Sequence, residues 1–206
     1  MLSMRKVLSV AFLLTICASC PAQAASAGVV SPNNCIYDPC LVVCPLGDIT
    51  HHVTVRDIAN NPIGSVPVTL SFASCGFVHC AVQAPGLVVD DAAKTVVATT
   101  GANGVAAFPL AMGGCCAAVK IYADSYYLGQ VAMSSPDENA SLLVNGTDLA
   151  YVSSAVGSLN ACADLNCSGS VDDADVALVT AHNGHSCTGV VPTRSKTWGT
   201  LKSIYR

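Results

Sequence analysis

Polar and apolar residues alternate in short runs through the middle of this chain, and helical spacing begins only after residue 147. His51-His52-Val53-Thr54-Val55-Arg56-Asp57 alternates in part and is rich in β-branched side chains, as a strand requires. Ala59-Asn60-Asn61-Pro62 is a turn signal, and residues 65–72 follow as a second strand, which Pro67 should confine to an edge or a bulge. Further strands are predicted over residues 86–89, 95–99, 105–110, 117–123 and 126–133, with the tight-turn pair Asn103-Gly104 between two of them. Short strands so closely spaced predict an antiparallel β-sandwich over residues 28–134.

The two ends differ from this middle. Arg5 and Lys6 precede an apolar stretch over residues 7–18, and Ala22-Gln23-Ala24 offers small residues for cleavage. Residues 1–24 therefore read as a signal peptide, too short and too early broken by Pro21 to span a bilayer. Its removal leaves ten cysteines: Cys35, Cys40, Cys44, Cys75, Cys80, Cys115, Cys116, Cys162, Cys167 and Cys187. An even number in an exported chain predicts disulfides rather than zinc, since no Cys-x-x-Cys pair occurs. Cys162 or Cys167 is expected to pair with Cys187. Localisation outside the cell or at its surface follows, with no membrane span after signal removal.

Charge narrows the partners. Beyond the signal the chain carries thirteen acidic residues, all Asp except Glu138, and four of its basic residues crowd the tail, 188–206. No basic stripe is available to neutralise a phosphate backbone, so nucleic acid is excluded as a partner.

An internal repeat carries the chemistry. Asp164-Leu165-Asn166-Cys167-Ser168-Gly169-Ser170-Val171-Asp172-Asp173-Ala174-Asp175 places oxygen side chains at the first, third, fifth, ninth and twelfth positions and Gly at the sixth. Calcium takes six to eight hard oxygens at about 2.3–2.6 Å, so one loop must wrap round the ion and present alternate residues. Twenty-seven residues earlier the pattern recurs without a gap, from Asp137 to Asp148. Asp137, Asn139, Ser141 and Asp148 would hold one Ca2+; Asp164, Asn166, Ser168, Asp172 and Asp175 a second. Leu143 and Ser170 would add backbone carbonyls. Leu142 occupies the sixth position of the first loop, so one or two ions are expected. Each loop leads into a short apolar helix, the second predicted over residues 175–182.

Residues 135–187, with these two loop-helix repeats, resemble a type I dockerin. The resemblance implies antiparallel helices that bind a cohesin-like β-sandwich, with Gly146, Thr147, Asp173 and Ala174 in the partner-reading places. The middle region resembles bacterial immunoglobulin-like and carboxypeptidase-regulatory-like modules, through Val53 to Asp57, Pro62-Ile63, Val68-Thr69-Leu70 and Thr100 to Phe108; in such modules the last stretch forms a hairpin. The expected fold class is thus mainly β: an immunoglobulin-like antiparallel β-sandwich followed by a small α-helical dockerin-like EF-hand-type module.

Other candidates are weaker. His182 and His185 have the spacing of a transition-metal pair, but Asn183-Gly184 signals a helix C-cap, a place that suits His. His51 and His52 should point to opposite faces of a strand, both exposed. No Gly-x-Ser-x-Gly, His-Glu-x-x-His or phosphate loop is present, and Asp48, Asp57, Asp90, Asp91 and Asp124 are scattered, so no enzyme is expected. The expected function is non-catalytic docking, as an accessory in polysaccharide breakdown. Head-to-tail self-assembly with another copy and carbohydrate binding are the alternatives.

Overall fold

The computed structural model describes residues 28–187 and the backbone of Gly189 and Val190. The predicted signal peptide, with Cys17 and Cys20, lies outside the described residues, as does the rest of the tail, Trp198 included.

The strands are β1 (Ile36–Tyr37), β2 (Cys40–Val42), β3 (Thr50–Thr54), β4 (Pro67–Ser71), β5 (Val78–His79), β6 (Val88–Asp90), β7 (Thr95–Thr99), β8 (Val105–Pro109), β9 (Met112–Gly113), β10 (Cys116–Ala123) and β11 (Tyr126–Ser134). Two helices follow, α1 (Gly146–Ala155) and α2 (Asp173–Ala181), and then the short pair β12 (His185–Ser186) and β13 (Gly189–Val190). One sheet has the order β1-β3-β8 and the other β2-β11-β10-β4-β7-β6. Alternation supplies the inward faces: Val53, Val68, Leu70, Val96, Phe108, Val119 and Ile121 are buried in one core with Phe72, itself fully buried.

Three strand-level expectations change. The sandwich is not wholly antiparallel, because β2 joins β11 in parallel register, Leu41 beside Met133. Pro67 sits in neither an edge nor a bulge. Strand β4 lies between β10 and β7, and Pro67 is accommodated as its first residue. Asn103-Gly104 does not close a hairpin either. It carries the chain across from β7 in the larger sheet to β8 in the smaller, where β8 pairs with β3.

The larger correction concerns the C-terminal segment. A separate small α-helical dockerin-like EF-hand-type module does not form; the structure is a mainly β chain whose two short helices are built onto the sandwich. A second core unites Val144, Val152, Ala163, Leu165, Val171 and Val179 with Cys44, Leu46 and Ile49 of the β2–β3 loop. Disulfides Cys40–Cys167, Cys80–Cys187 and Cys115–Cys162 each tie the sandwich to the helical segment, while Cys75–Cys116 closes within the sandwich. The expected pairing of Cys162 or Cys167 with Cys187 is therefore wrong, and Cys35 and Cys44 remain thiols. The reason is size: so few apolar side chains cannot hold a helix pair alone, and the cysteines recruit the sandwich as its other half.

Candidate functional site

Residues 137–148 and 164–175 each fold into a turn organised by the first and last carboxylates. In the second loop, Asp164 Oδ1 accepts from the Ser168 N–H (3.0 Å) and Oδ2 from the Gly169 N–H (2.7 Å). In the first, Asp137 Oδ1 and Oδ2 accept from the Ser141 and Leu142 N–H groups at 2.9 and 2.8 Å. The third-position Asn139 and Asn166 side chains accept from the same Ser N–H groups, both at 2.9 Å. Each Ser hydroxyl donates to the seventh-position carbonyl, Ser141 to Leu143 (3.1 Å) and Ser168 to Ser170 (2.9 Å). One donor pattern is thus built twice.

The twelfth-position carboxylates close the loops. Asp175 is fully buried; its Oδ1 accepts from Leu165 and Asn166 and its Oδ2 from the Asp172 N–H at 2.8 Å. Asp148, also fully buried, accepts from Asn139 at 3.3 Å and from Asn145 at 2.9 Å. The bonds to Asp172 and Asn145 complete capping boxes, because Asn145 and Asp172 N-cap α1 and α2. Asp172 therefore has a capping role, and α2 begins at Asp173, ahead of the expected start.

Leu142 shows how the first loop turns without glycine. It takes φ 61°, the left-handed conformation that Gly169 takes at 92°, and the fourth-position residues Ala140 (55°) and Cys167 (58°) match as well. For a leucine this costs about 1–2 kcal/mol. The loops are also cross-braced reciprocally. Val144 exchanges backbone bonds with Gly184 and His185 beyond α2, and Val171 with Gly157 and Ser158 beyond α1, all at 2.9–3.0 Å.

No Lys or Arg forms an ion pair with these carboxylates among the described residues. Burial, reinforced by Asp148, raises the Asp137 carboxyl above its ordinary range. Glu138, overlooked as a second-position residue, is pushed up to about 8 by burial and by the charges of Asp148 and Asp137. Its Oε1 is buried without a hydrogen-bond partner. Such crowded, uncompensated carboxylates fit a hard divalent cation. Being the chain's only Glu, next to Asp137, was the one available signal.

The sandwich shapes the first loop directly. A Cβ on Gly113 of β9 would overlap the Asp137 carboxylate, and the Gly114 N–H donates to the Asp137 carbonyl at 2.7 Å. The proposed partner-reading residues Gly146, Thr147, Asp173 and Ala174 are all exposed, at the N-terminal ends of the two helices.

The histidines are redistributed. His51 and His52 do face opposite ways, but only His52 is exposed. His51 is buried, with Nδ1 at 2.9 Å from Asp38 Oδ2 and Nε2 at 2.6 Å from the Val42 carbonyl. His182 does cap α2, its N–H bonding to the Leu178 carbonyl at 3.1 Å. It also meets His185, Cys44 and Asp48, whose potential ligand atoms all lie within 4.8 Å of one another. Nothing in the local pattern links Cys44 and Asp48 to residues so far along the chain.

No protein-family model, curated protein or solved structure matches this chain. The dockerin resemblance thus rests on the repeat residues alone. Four disulfides fit an oxidising compartment, and among the described residues no helix is long and apolar enough to cross a membrane.

Proposed function

We propose that the chain is a calcium-loaded, non-catalytic binding protein of the cell exterior, which engages a protein partner through the outward ends of its two helices. The reading rests on the duplicated loop geometry: two buried carboxylates, an Asn, a Ser and a carbonyl belong to each loop, with no ion pair to a cationic side chain among the described residues. Asp137, Asn139, Ser141, Leu143 O and Asp148 would hold one ion; Asp164, Asn166, Ser168, Ser170 O and Asp175 the other. Ser at both fifth positions, in place of a carboxylate, favours modest affinity. Calcium would neutralise the carboxylates and fix both helix N-termini, presenting Gly146 with Thr147 at one end of the helix pair and Asp173 with Ala174 at the other. A cohesin-like β-sandwich or a second copy of the chain would dock there.

The test is calorimetric titration of the intact oxidised chain with Ca2+. Two binding events, or one accompanied by higher thermal stability, support the reading. No heat and no stabilisation at millimolar Ca2+ refute it. Light scattering with and without Ca2+ then separates self-association from a foreign partner.

A further inference from the structure

We propose that Cys44, Asp48, His182 and His185 form a structural zinc site that clamps the helical segment to the sandwich. The four come from two places brought together only by the fold. Cys44 and Asp48 lie in the β2–β3 loop, and His182 and His185 follow α2. The two shortest separations match a tetrahedral shell, in which ligand atoms about 2.0–2.3 Å from the metal lie about 3.3–3.6 Å apart, and all four ligand atoms lie within 4.8 Å of one another. Cys44 Sγ is 3.4 Å and Asp48 Oδ2 3.3 Å from His185 Nδ1, and His182 Nε2 is 3.9 Å from Asp48 Oδ2.

The surroundings are those of a metal shell rather than a chance cluster. The His182 Nδ1–H donates to the Leu178 carbonyl at 2.8 Å, which leaves the Nε2 lone pair aimed at the cluster. Metal-bound histidines are oriented in this way. The two rings stand edge to face, 5.0 Å apart. His185 is held by the backbone bond from Val144, and the Cys44 carbonyl accepts from Gly47 (2.8 Å) and Met112 (3.3 Å). The Cys44 side chain is fully buried and both imidazoles are largely buried.

Cys44 is also set apart from its possible disulfide partner. Among the described residues the other free thiol is Cys35, which donates to the Ser31 carbonyl at 3.3 Å beside Arg56. Asp48 and Arg56 lie beyond opposite ends of β3, roughly 25 Å apart by strand rise.

The donor set chooses the ion. A thiolate and two imidazoles are too soft for calcium, and a carboxylate as fourth ligand departs from the long axial thioether of a blue-copper centre. Four protein ligands fill a tetrahedral zinc shell and leave no open position, so the site is structural. It would act beside the Cys80–Cys187 bridge, on the same joint.

The experiment uses the intact oxidised chain, stripped of metal and then saturated with Ca2+, so that the Asp-rich loops are not the cobalt target. Titration with Co2+ should give, at one equivalent, intense tetrahedral d–d bands and a sulfur-to-cobalt charge-transfer band, both bleached by one equivalent of Zn2+. C44S should lose the charge-transfer band. H182A and H185A, which leave the sulfur in place, should each weaken Zn2+ binding at least tenfold. Only weak octahedral bands, or a charge-transfer band that persists in C44S, would overturn the proposal. Neither result bears on whether the Asp-rich loops bind calcium.

Discussion

Gly113→Ala isolates the contact through which the sandwich shapes the first loop. Its backbone is outside the left-handed region, so alanine meets no conformational penalty; the added Cβ overlaps the Asp137 carboxylate. That carboxylate is fully buried and accepts from the Ser141 and Leu142 N–H groups. Bonds to charged groups contribute about 1.5–3 kcal/mol each, and partial relaxation should leave a net loss of about 3 kcal/mol. For a chain of this size that lowers Tm by about 6–12 °C. Calcium stoichiometry should fall from two to one, since the added methyl group meets Asp137 and no residue of the second loop. A double-mutant cycle with Asp137→Ala checks the cause. Removing the carboxylate makes room for the methyl group, so Gly113→Ala should cost less than 1 kcal/mol in that background, a coupling of about 2 kcal/mol. Differential scanning calorimetry and calcium titration supply the readouts. An equal cost in both backgrounds would refute the steric argument.

Asp175→Asn should weaken calcium at the second loop at least tenfold, about 1.4 kcal/mol, and leave the first intact; two unchanged binding isotherms would contradict this. Replacing both Cys40 and Cys167 by Ala releases a bridge spanning 127 residues. It should cost about 2 kcal/mol in urea unfolding, less than the full loop-closure value because two other bridges still join the same parts; an unmoved midpoint would count against it. His79 supplies a pH dependence. Burial opposes its charge, but Asp91 at 2.6 Å and the Cys80 carbonyl outweigh that and raise its pKa. Its contribution is therefore complete below the unfolded value, about 6.5, and is lost as pH rises through the folded one. Proton NMR should show a lower His79 pKa in Asp91→Asn and a flatter Tm-against-pH curve above that value; identical titrations would refute the pairing.

Much of the local structure was legible because it depends on neighbours in sequence. The period-two patterning located the longer strands, Thr95–Thr99 to the residue, but not the short β1, β2, β5 and β9. The 27-residue repeat located both loops, since the spacing of Asp, Asn, Ser and a left-handed sixth residue is itself the loop geometry. Pairing between distant segments was not legible. Leu41 beside Met133, Cys40 with Cys167 and Cys80 with Cys187 depend on which surfaces remain to be covered once the sheets have formed. Cys44 and Asp48 look unremarkable in their own loop and meet His182 and His185 only after the second core has closed. Alternation and loop spacing are local constraints that a chain carries in its order of residues. Attachment of the helices to the sandwich is decided in three dimensions, where a segment with too little apolar surface of its own must borrow a core.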